Sequence, residues 1–407
     1  MKTANSGSEA RIPIVELALR YVELGLRLGR HVDGLVDAYF GPAEIADRVD
    51  AEGLRSPAAL ADDAAALRRG LDESEGLDPR RRGWLDDQLL GVETYARRLA
   101  GEQLPYADEV ERCFGVRPRR TPEEVFAAAL DRLDAALPGE GDLVTRYADW
   151  RRSQIVPSEA MLDVFSALRE RFRAATTGLL GLPPDEDVET ELVRDEPWLA
   201  YNYYLGGRRS RIAINIDLPI AAPELVDLVA HEAYPGHHTE HAWKEHLLVD
   251  AGVVEESLVL VPTPQSMVSE GIAETAWEQL ADATRDAVTA VFADVGVPFD
   301  PAQVDAVEEA RRPLRFVGLN AALLLHEDGA SEEEAVAYVE RWSARTLEYA
   351  QSSVRFILDP LWRAYAATYS LGGALARRHA QGSPERYRAL LTEQTRVADM
   401  LPVSSDA

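Results

Sequence analysis

"GLPPDEDVETELVRDEPWLAYNYYLGGRRSRIAINIDLP", residues 181–219, interrupts a chain that elsewhere reads as helix. Within it Ile212, Ile214, Ile216 and Leu218 alternate with Arg211, Ala213, Asn215 and Asp217, the period-two pattern of a strand with one buried face. Gly206-Gly207 lies between this run and an aromatic stretch ending in YNYYL, which predicts a hairpin. The expected architecture is therefore a mainly α, multi-helix fold in which a small antiparallel β-sheet precedes the segment richest in histidine.

Outside this stretch Ala, Leu, Arg and Glu dominate, and apolar residues recur at three- and four-residue spacing. The segment IPIVELALRYVELGLRLGRHVDGLVDAYFGP, residues 12–42, reads as one long helix stopped by Gly41-Pro42. Helices are also predicted from Pro57 to about Asp72, Gly83 to about Ala100, Pro122 to about Leu137 and Pro157 to about Leu180. In Thr121-Pro122-Glu123-Glu124 a threonine can cap, a proline sits in the first turn and a glutamate can reach back. Beyond the sheet, helices are predicted from Pro223, from Pro264 to about Val295, from Pro301 to about His326, from Ser331 to about Leu347, from Pro360 to about Ala380 and from Pro384 onward. This divides the chain into an N-terminal helical region, 1–185, and a sheet plus helical catalytic region, 186–407. Without a low-complexity linker or internal repeat the two can form one continuous domain.

With 407 residues, 46% of them hydrophobic, the chain can bury a full core. Lys and Arg number 43 against 70 Asp and Glu, and the formal net charge of -27 repels phosphate backbones and anionic lipid. Neither nucleic acid nor a membrane is an expected partner. The opening MKTANSGSEARIP has no apolar run behind it, and no stretch nears the roughly 20 apolar residues a bilayer span needs. A single cysteine, Cys113, allows no internal disulfide, so a reducing, cytoplasmic location is expected.

The chemistry concentrates in VAHEAYPGHHTEH, residues 229–241, which holds four of the eight histidines. A His-Glu pair alone carries no weight: His326-Glu327, with no second histidine near, reads as a helix end. On an ideal helix His231 and His237 would diverge by about 240° and could not share a metal. Pro235 and Gly236 change this, because proline removes an N–H and clashes with the preceding turn while glycine tolerates unusual dihedrals. If the break absorbs two residues, His237 returns beside His231. His238 is the rival ligand, two turns on but about 10.5 Å along the axis, with its side chain parallel rather than convergent. Zinc at a catalytic site takes three nitrogen or oxygen ligands plus water. In SMVSEGIAETAWEQL, Glu270 and Glu274 stand four apart, so one carboxylate can bind metal while the other supports a liganding histidine.

HEAYPGHH followed by SEGIAE resembles the glutamate-type zincins, or gluzincins, in the variant carried by a widespread, largely uncharacterised bacterial family with the signature His-Glu-x-x-Pro-Gly-His-His. It is similar to a two-residue expansion of His-Glu-x-x-His, comparable with the one-residue expansion in dipeptidyl-peptidase III. The likeness runs from YYLGGRRSRIAINIDLP to YAATYSLGG, about half the chain. The resemblance implies a zinc cofactor held by His231, His237 and Glu270, with Glu232 as general base and Glu274 in an orienting role. It also implies that the strand Arg211 to Asp217, including Arg211 and Asn215, lies along the substrate, and that a tyrosine, Tyr369 beside Tyr365, donates to the developing oxyanion. His238 and His241 are further candidates for that donor role, or are structural. Arg208, Arg209 and Arg211 can read a substrate carboxylate or simply be solvated.

The expected activity is a zinc-dependent hydrolase, a peptidase or amidase acting on short peptides or peptide-like metabolites. A non-peptide amide or ester substrate would use the same parts. A metal-stabilised binding or scaffold protein is the alternative of another class. Glu232 speaks against it, since a closed structural site needs no base.

Overall fold

The computed structural model of the protein describes residues 14–73, 78–196 and 198–402. The opening stretch 1–13 lies outside the described residues. The fold is mainly helical with two small sheets, and no helix among the described residues is long and apolar enough to cross a membrane.

The first segment is not one helix. It is helical over Ile14–Gly29, then turns into a strand, β1 (Val36–Tyr39). Gly29 lets the chain fold back closely, since a Cβ there would stand 2.5 Å from Val36 Cγ2. β1 then pairs antiparallel with a strand more than 200 residues away, Leu258–Leu260, a partnership that local periodicity cannot reveal.

The helices expected over 57–72, 83–100, 122–137 and 157–180 form as Pro57–Glu73, Pro79–Leu99, Glu123–Ala136 and Met161–Leu179. The expected cap at Thr121 does not form. Its N–H donates instead to Asn320 Oδ1 (2.9 Å), and the Asn320 amide donates back to the Thr121 carbonyl (2.8 Å), so a tertiary bond replaces the local one. The reciprocal cap occurs at Ser331 and Glu334. The helix expected from Pro264 breaks into Pro264–Ala273 and Ala276–Asp294.

The main sheet has β2 (Asp187–Val193), β3 (Ala200–Gly206) and β4 (Arg209–Asn215) in the order β2-β4-β3. β3 and β4 form the expected antiparallel hairpin, turning through Gly206, Gly207 and Arg208, all at positive φ. β2 adds to the other side of β4 in parallel, so β4 is the central strand and β3 the strand nearest the histidine segment. Ile212 and Ile214 are fully buried as their alternation requires, and Ala213 is buried too. The strand stops at Asn215, whose amide donates to the carbonyls of Glu196 and Trp198 while its oxygen accepts from the Asp217 N–H, so Leu218 emerges exposed.

Apolar packing crosses residue 185 in every cluster. Phe165, Leu168 and Phe172 pack with Ile212, Ile214 and Val229; Tyr21 and Trp84 pack with β5 (Leu258–Leu260); Phe114 and Phe126 pack with residues of the C-terminal helices. Helices Pro264–Ala273 and Trp362–Ala380 meet backbone to backbone. A Cβ on Gly271 would fall 2.5 Å from the Gly372 carbonyl oxygen, so glycine there sets the helix separation. This contact brings Tyr365 against Glu270.

Candidate metal centre

Helix Ala222–Glu232 ends with His231 and Glu232 in its last turn, and a new helix starts at His237 and runs to Lys244. Between them the Tyr234-Pro235 peptide is cis, and the Gly236 N–H donates to the Ala230 carbonyl at 2.9 Å. At Gly236, where φ is -79 and ψ -136, space calls for glycine. A Cβ there would lie 1.9 Å from the His231 carbonyl oxygen. The helix is thus broken and restarted, and the restart returns His237 to the side of His231.

The two imidazoles meet edge to face, with Nε2 atoms 3.1 Å apart. Glu270, buried on helix Pro264–Ala273, places Oε2 3.8 Å from His231 Nε2 and Oε1 3.7 Å from His237 Nε2. One ligand atom from each of the three lies within 4.8 Å of the others. Glu270 Oε1 accepts from the Tyr365 hydroxyl at 2.6 Å, while the buried Oε2 has no hydrogen-bond partner.

A polar chain behind His237 fixes its proton. Lys244 Nζ donates to Glu240 Oε1 (2.7 Å), and Ser269 Oγ donates its only hydrogen to Glu240 Oε2 (2.6 Å). The Ser269 oxygen must therefore accept from His237 Nδ1, 3.1 Å away, so that in the neutral ring the Nε2 lone pair faces His231 and Glu270. Ser269, Glu240, Lys244 and Tyr365 were not assigned these roles from sequence. The available signals were that Glu240 sits three residues after His237 and Ser269 directly before Glu270.

In the metal-free protein, burial pushes the Glu232 carboxyl up to about 7 and raises Glu270. Burial and then the neighbouring His237 hold His231 well below the usual imidazole value. For His237, burial opposes charge, but the carboxylates of Glu270, Glu232 and Glu240 outweigh it and raise the ring. Two rings 3.1 Å apart with opposite shifts accept one positive charge between them, held mainly on His237.

The other residues separate clearly. His238 is no ligand: fully buried, it bonds Ser210 through Nδ1 (2.9 Å) and Glu186 through Nε2 (3.0 Å), tying the restarted helix to the sheet. Glu274 does not reach the cluster: its N–H continues the helical bonding to the Glu270 carbonyl (2.8 Å), but its carboxylate pairs with Arg315. His241 lines the cleft with its ring nearly parallel to that of His237, centroids 6.2 Å apart. Tyr369 lines it as well, edge-on to Tyr365. Arg211 and Asn215 are away from it. Arg211 lies over the Tyr203 ring and pairs with Glu191, and Asn215 closes the strand end, because β4 is hydrogen-bonded on both sides. Arg208 and Arg209 pair with Asp250, Asp187 and Glu189. The sheet wall of the cleft is instead β3, through Ala200, Tyr201 and Asn202, and the Asn202 amide donates to the Glu232 carbonyl at 2.6 Å. The control pair behaves as a helix end, with His326 bonded to the Ile357 carbonyl and Glu327 accepting from the Ala107 N–H.

His231, Glu232, His237 and Glu270 share the wall of one cleft of about 370 Å³. No protein-family model matches the chain, and no curated protein matches it. Among solved structures it is similar in fold to "the putative lipoprotein from Colwellia psychrerythraea", with a TM-score of 0.53 and 16% identity, over 84% of this chain and 65% of that one. The chain therefore spans just under two thirds of that protein's length, and at this identity the likeness is one of fold.

Proposed function

We propose that the protein is a zinc-dependent hydrolase of the gluzincin type that cleaves amide bonds in short peptides or peptide-like metabolites. The observation that carries this reading is the convergence of His231, His237 and Glu270 in a cleft that also holds Glu232. The donor set suits the metal: an imidazole nitrogen left bare by its hydrogen-bond chain, a second imidazole that burial keeps neutral, and a buried carboxylate oxygen without a partner. Zinc bound there would supply Lewis acidity for a carbonyl and acidify water toward a pKa of about 7.

The remaining steps belong to the chain's own side chains. Glu232 directly follows the first ligand, lines the cleft and has its carboxyl raised to about 7, a value suited to taking a proton from water and passing it to a leaving amine. Tyr369 and His241 stand in the same wall as donors for an oxyanion. Tyr365 and the Ser269–Glu240–Lys244 chain orient ligands rather than touch substrate. An open cleft beside a carboxyl base favours catalysis over a closed structural site.

The test is metal content followed by hydrolysis of dipeptides and tripeptides. Roughly one zinc per chain is expected, and Glu232→Gln should keep the metal while losing turnover by two or more orders of magnitude. Protein that neither contains zinc nor takes it up, or a Glu232→Gln variant with near-normal turnover, rules the reading out.

A further inference from the structure

We infer that the cleft recognises a protonated amine through Asp37, so that its substrates carry a free ammonium group, such as the N-terminus of a short peptide. That the amine-bearing molecule is hydrolysed rests on the function proposed above; that it binds does not.

The first observation is the way β1 is built. Val36 pairs with Leu260 and Ala38 with Val259, so Asp37 is an extra residue between two consecutive partners. Such a bulge re-aims a side chain that regular pairing would hold elsewhere. Here it gives the cleft wall an aspartate whose carboxylate accepts from the Tyr201 hydroxyl.

The second observation is the company it keeps. Among the described residues no lysine or arginine lines the cleft, so neither Asp37 nor a substrate carboxylate meets one there. With a dication held by His231, His237 and Glu270, the carboxylates of Asp37 and Glu270 would offset it, and Glu232, raised to about 7, would add a negative charge when ionised, so the cleft carries no formal positive charge to repel an ammonium group. The walls also carry six aromatic side chains, Trp198, Tyr201, Phe356, Trp362, Tyr365 and Tyr369. Aromatic faces offer apolar contact area and attract cations, and a carboxylate among them completes an ammonium site. A site for a free C-terminal carboxylate would need the reverse polarity.

The test compares L-phenylalaninamide and L-leucinamide with their N-acetyl forms, titrated calorimetrically at pH 6.5, where the α-amines are protonated. Chelator-treated and zinc-loaded protein are both used. The free amines should bind the wild-type protein at least about tenfold more tightly than the acetylated forms. Asp37→Asn should cut that preference to below about threefold, while Asp37→Glu keeps most of it. Equal binding of free and acetylated forms, no binding of the amines, or an unchanged preference in Asp37→Asn overturns the inference. The wild-type comparison needs no variant to fold. Amine binding by chelator-treated protein depends on neither zinc nor Glu232, so a protein that selects amines but takes no metal keeps this inference and loses the hydrolase reading. One that hydrolyses N-acetylated and free peptides equally keeps the hydrolase reading and loses this one.

Discussion

At the scale of single residues, two adjacent histidines with opposite surroundings give the sharpest test of the centre. His237 directs its Nε2 at His231 and Glu270, whereas both nitrogens of His238 are used by Ser210 and Glu186. His237→Ala should therefore abolish zinc uptake in a chelator competition. His238→Ala should retain zinc but lower stability by about 1–3 kcal/mol, since it strands a buried serine and part of a carboxylate. The reverse pattern would move the ligand role to His238. Ser269→Ala removes the acceptor that fixes the His237 tautomer, and a 10- to 100-fold loss of zinc affinity is expected, the usual scale for a group that orients a ligand. Unchanged affinity would show that the chain through Glu240 does not set the ring. The cluster of His231, His237 and Glu270, with Glu232 beside it, was legible in the sequence because the residue types and their order single it out. Ser269, Glu240 and Tyr365 were not, because serines, glutamates and tyrosines occur throughout such a chain and only the packing of three helices selects these. The orienting role read for Glu274 was not met because Arg315, more than 40 residues away in sequence, takes its carboxylate, a partner that spacing cannot reveal.

At the scale of elements, the site depends on a helix that stops at Glu232 and restarts at His237, and Gly236 is where the two pieces touch. The sequence shows that a break must occur, since Pro235 cannot continue the ladder. It suggests unusual dihedrals as the reason for glycine, and Gly236 has φ -79 and ψ -136; a further constraint is the His231 carbonyl 1.9 Å from where a Cβ would stand. Even Gly236→Ala should therefore displace the break, destabilise the protein by about 2 kcal/mol or more, and weaken zinc binding, because backbone cannot yield as a flexible side chain does. Thermal unfolding and zinc titration check this, and an alanine variant matching the parent in both would refute the packing account. Deleting Pro235 and Gly236 together restores a four-residue spacing on an unbroken helix, which preserves the pair but shifts every later residue; zinc binding should survive weakened and turnover should fall sharply. The same division between local and distant causes explains the element reading elsewhere. Helices with clear periodicity and the β3–β4 hairpin were visible in the sequence, whereas β1 was taken for helix because its partner, Leu258–Leu260, is supplied only by the tertiary fold.

At the scale of the whole molecule, the large excess of acid sits mostly at the surface, but the histidine segment is buried, and that sets how the protein responds to pH. His241 lies 5% exposed among Phe40, Tyr204 and His237. Burial, opposed by Glu240 and assisted by His237 and Lys244, lowers its pKa to about 3. His238 and His231 are lowered as well, again chiefly by burial. The ordinary imidazole value applies to the unfolded chain, so each of these groups takes up a proton more readily when unfolded. A depressed folded-state pKa means that the associated stability is complete above about pH 6.5 and is lost as the pH falls toward the folded-state value. For His241 alone the loss between pH 7 and pH 5 is about 2 kcal/mol. Chelator-treated protein is the right sample, because a bound metal would hold His231 and His237 unprotonated for a separate reason. The raised carboxyls of Glu232 and Glu270 act in the opposite sense, gaining stability as the pH falls, so the His241 contribution is read as a difference: in urea unfolding at pH 7, 6 and 5, the change in stability of His241→Gln between pH 7 and pH 5 should be about 2 kcal/mol more favourable than that of the parent, with the same structure at pH 7. A His241→Gln variant with the same pH slope as the parent would mean that this ring reaches solvent and is protonated in the native state, and the enclosed cleft wall inferred from its packing would have to be given up.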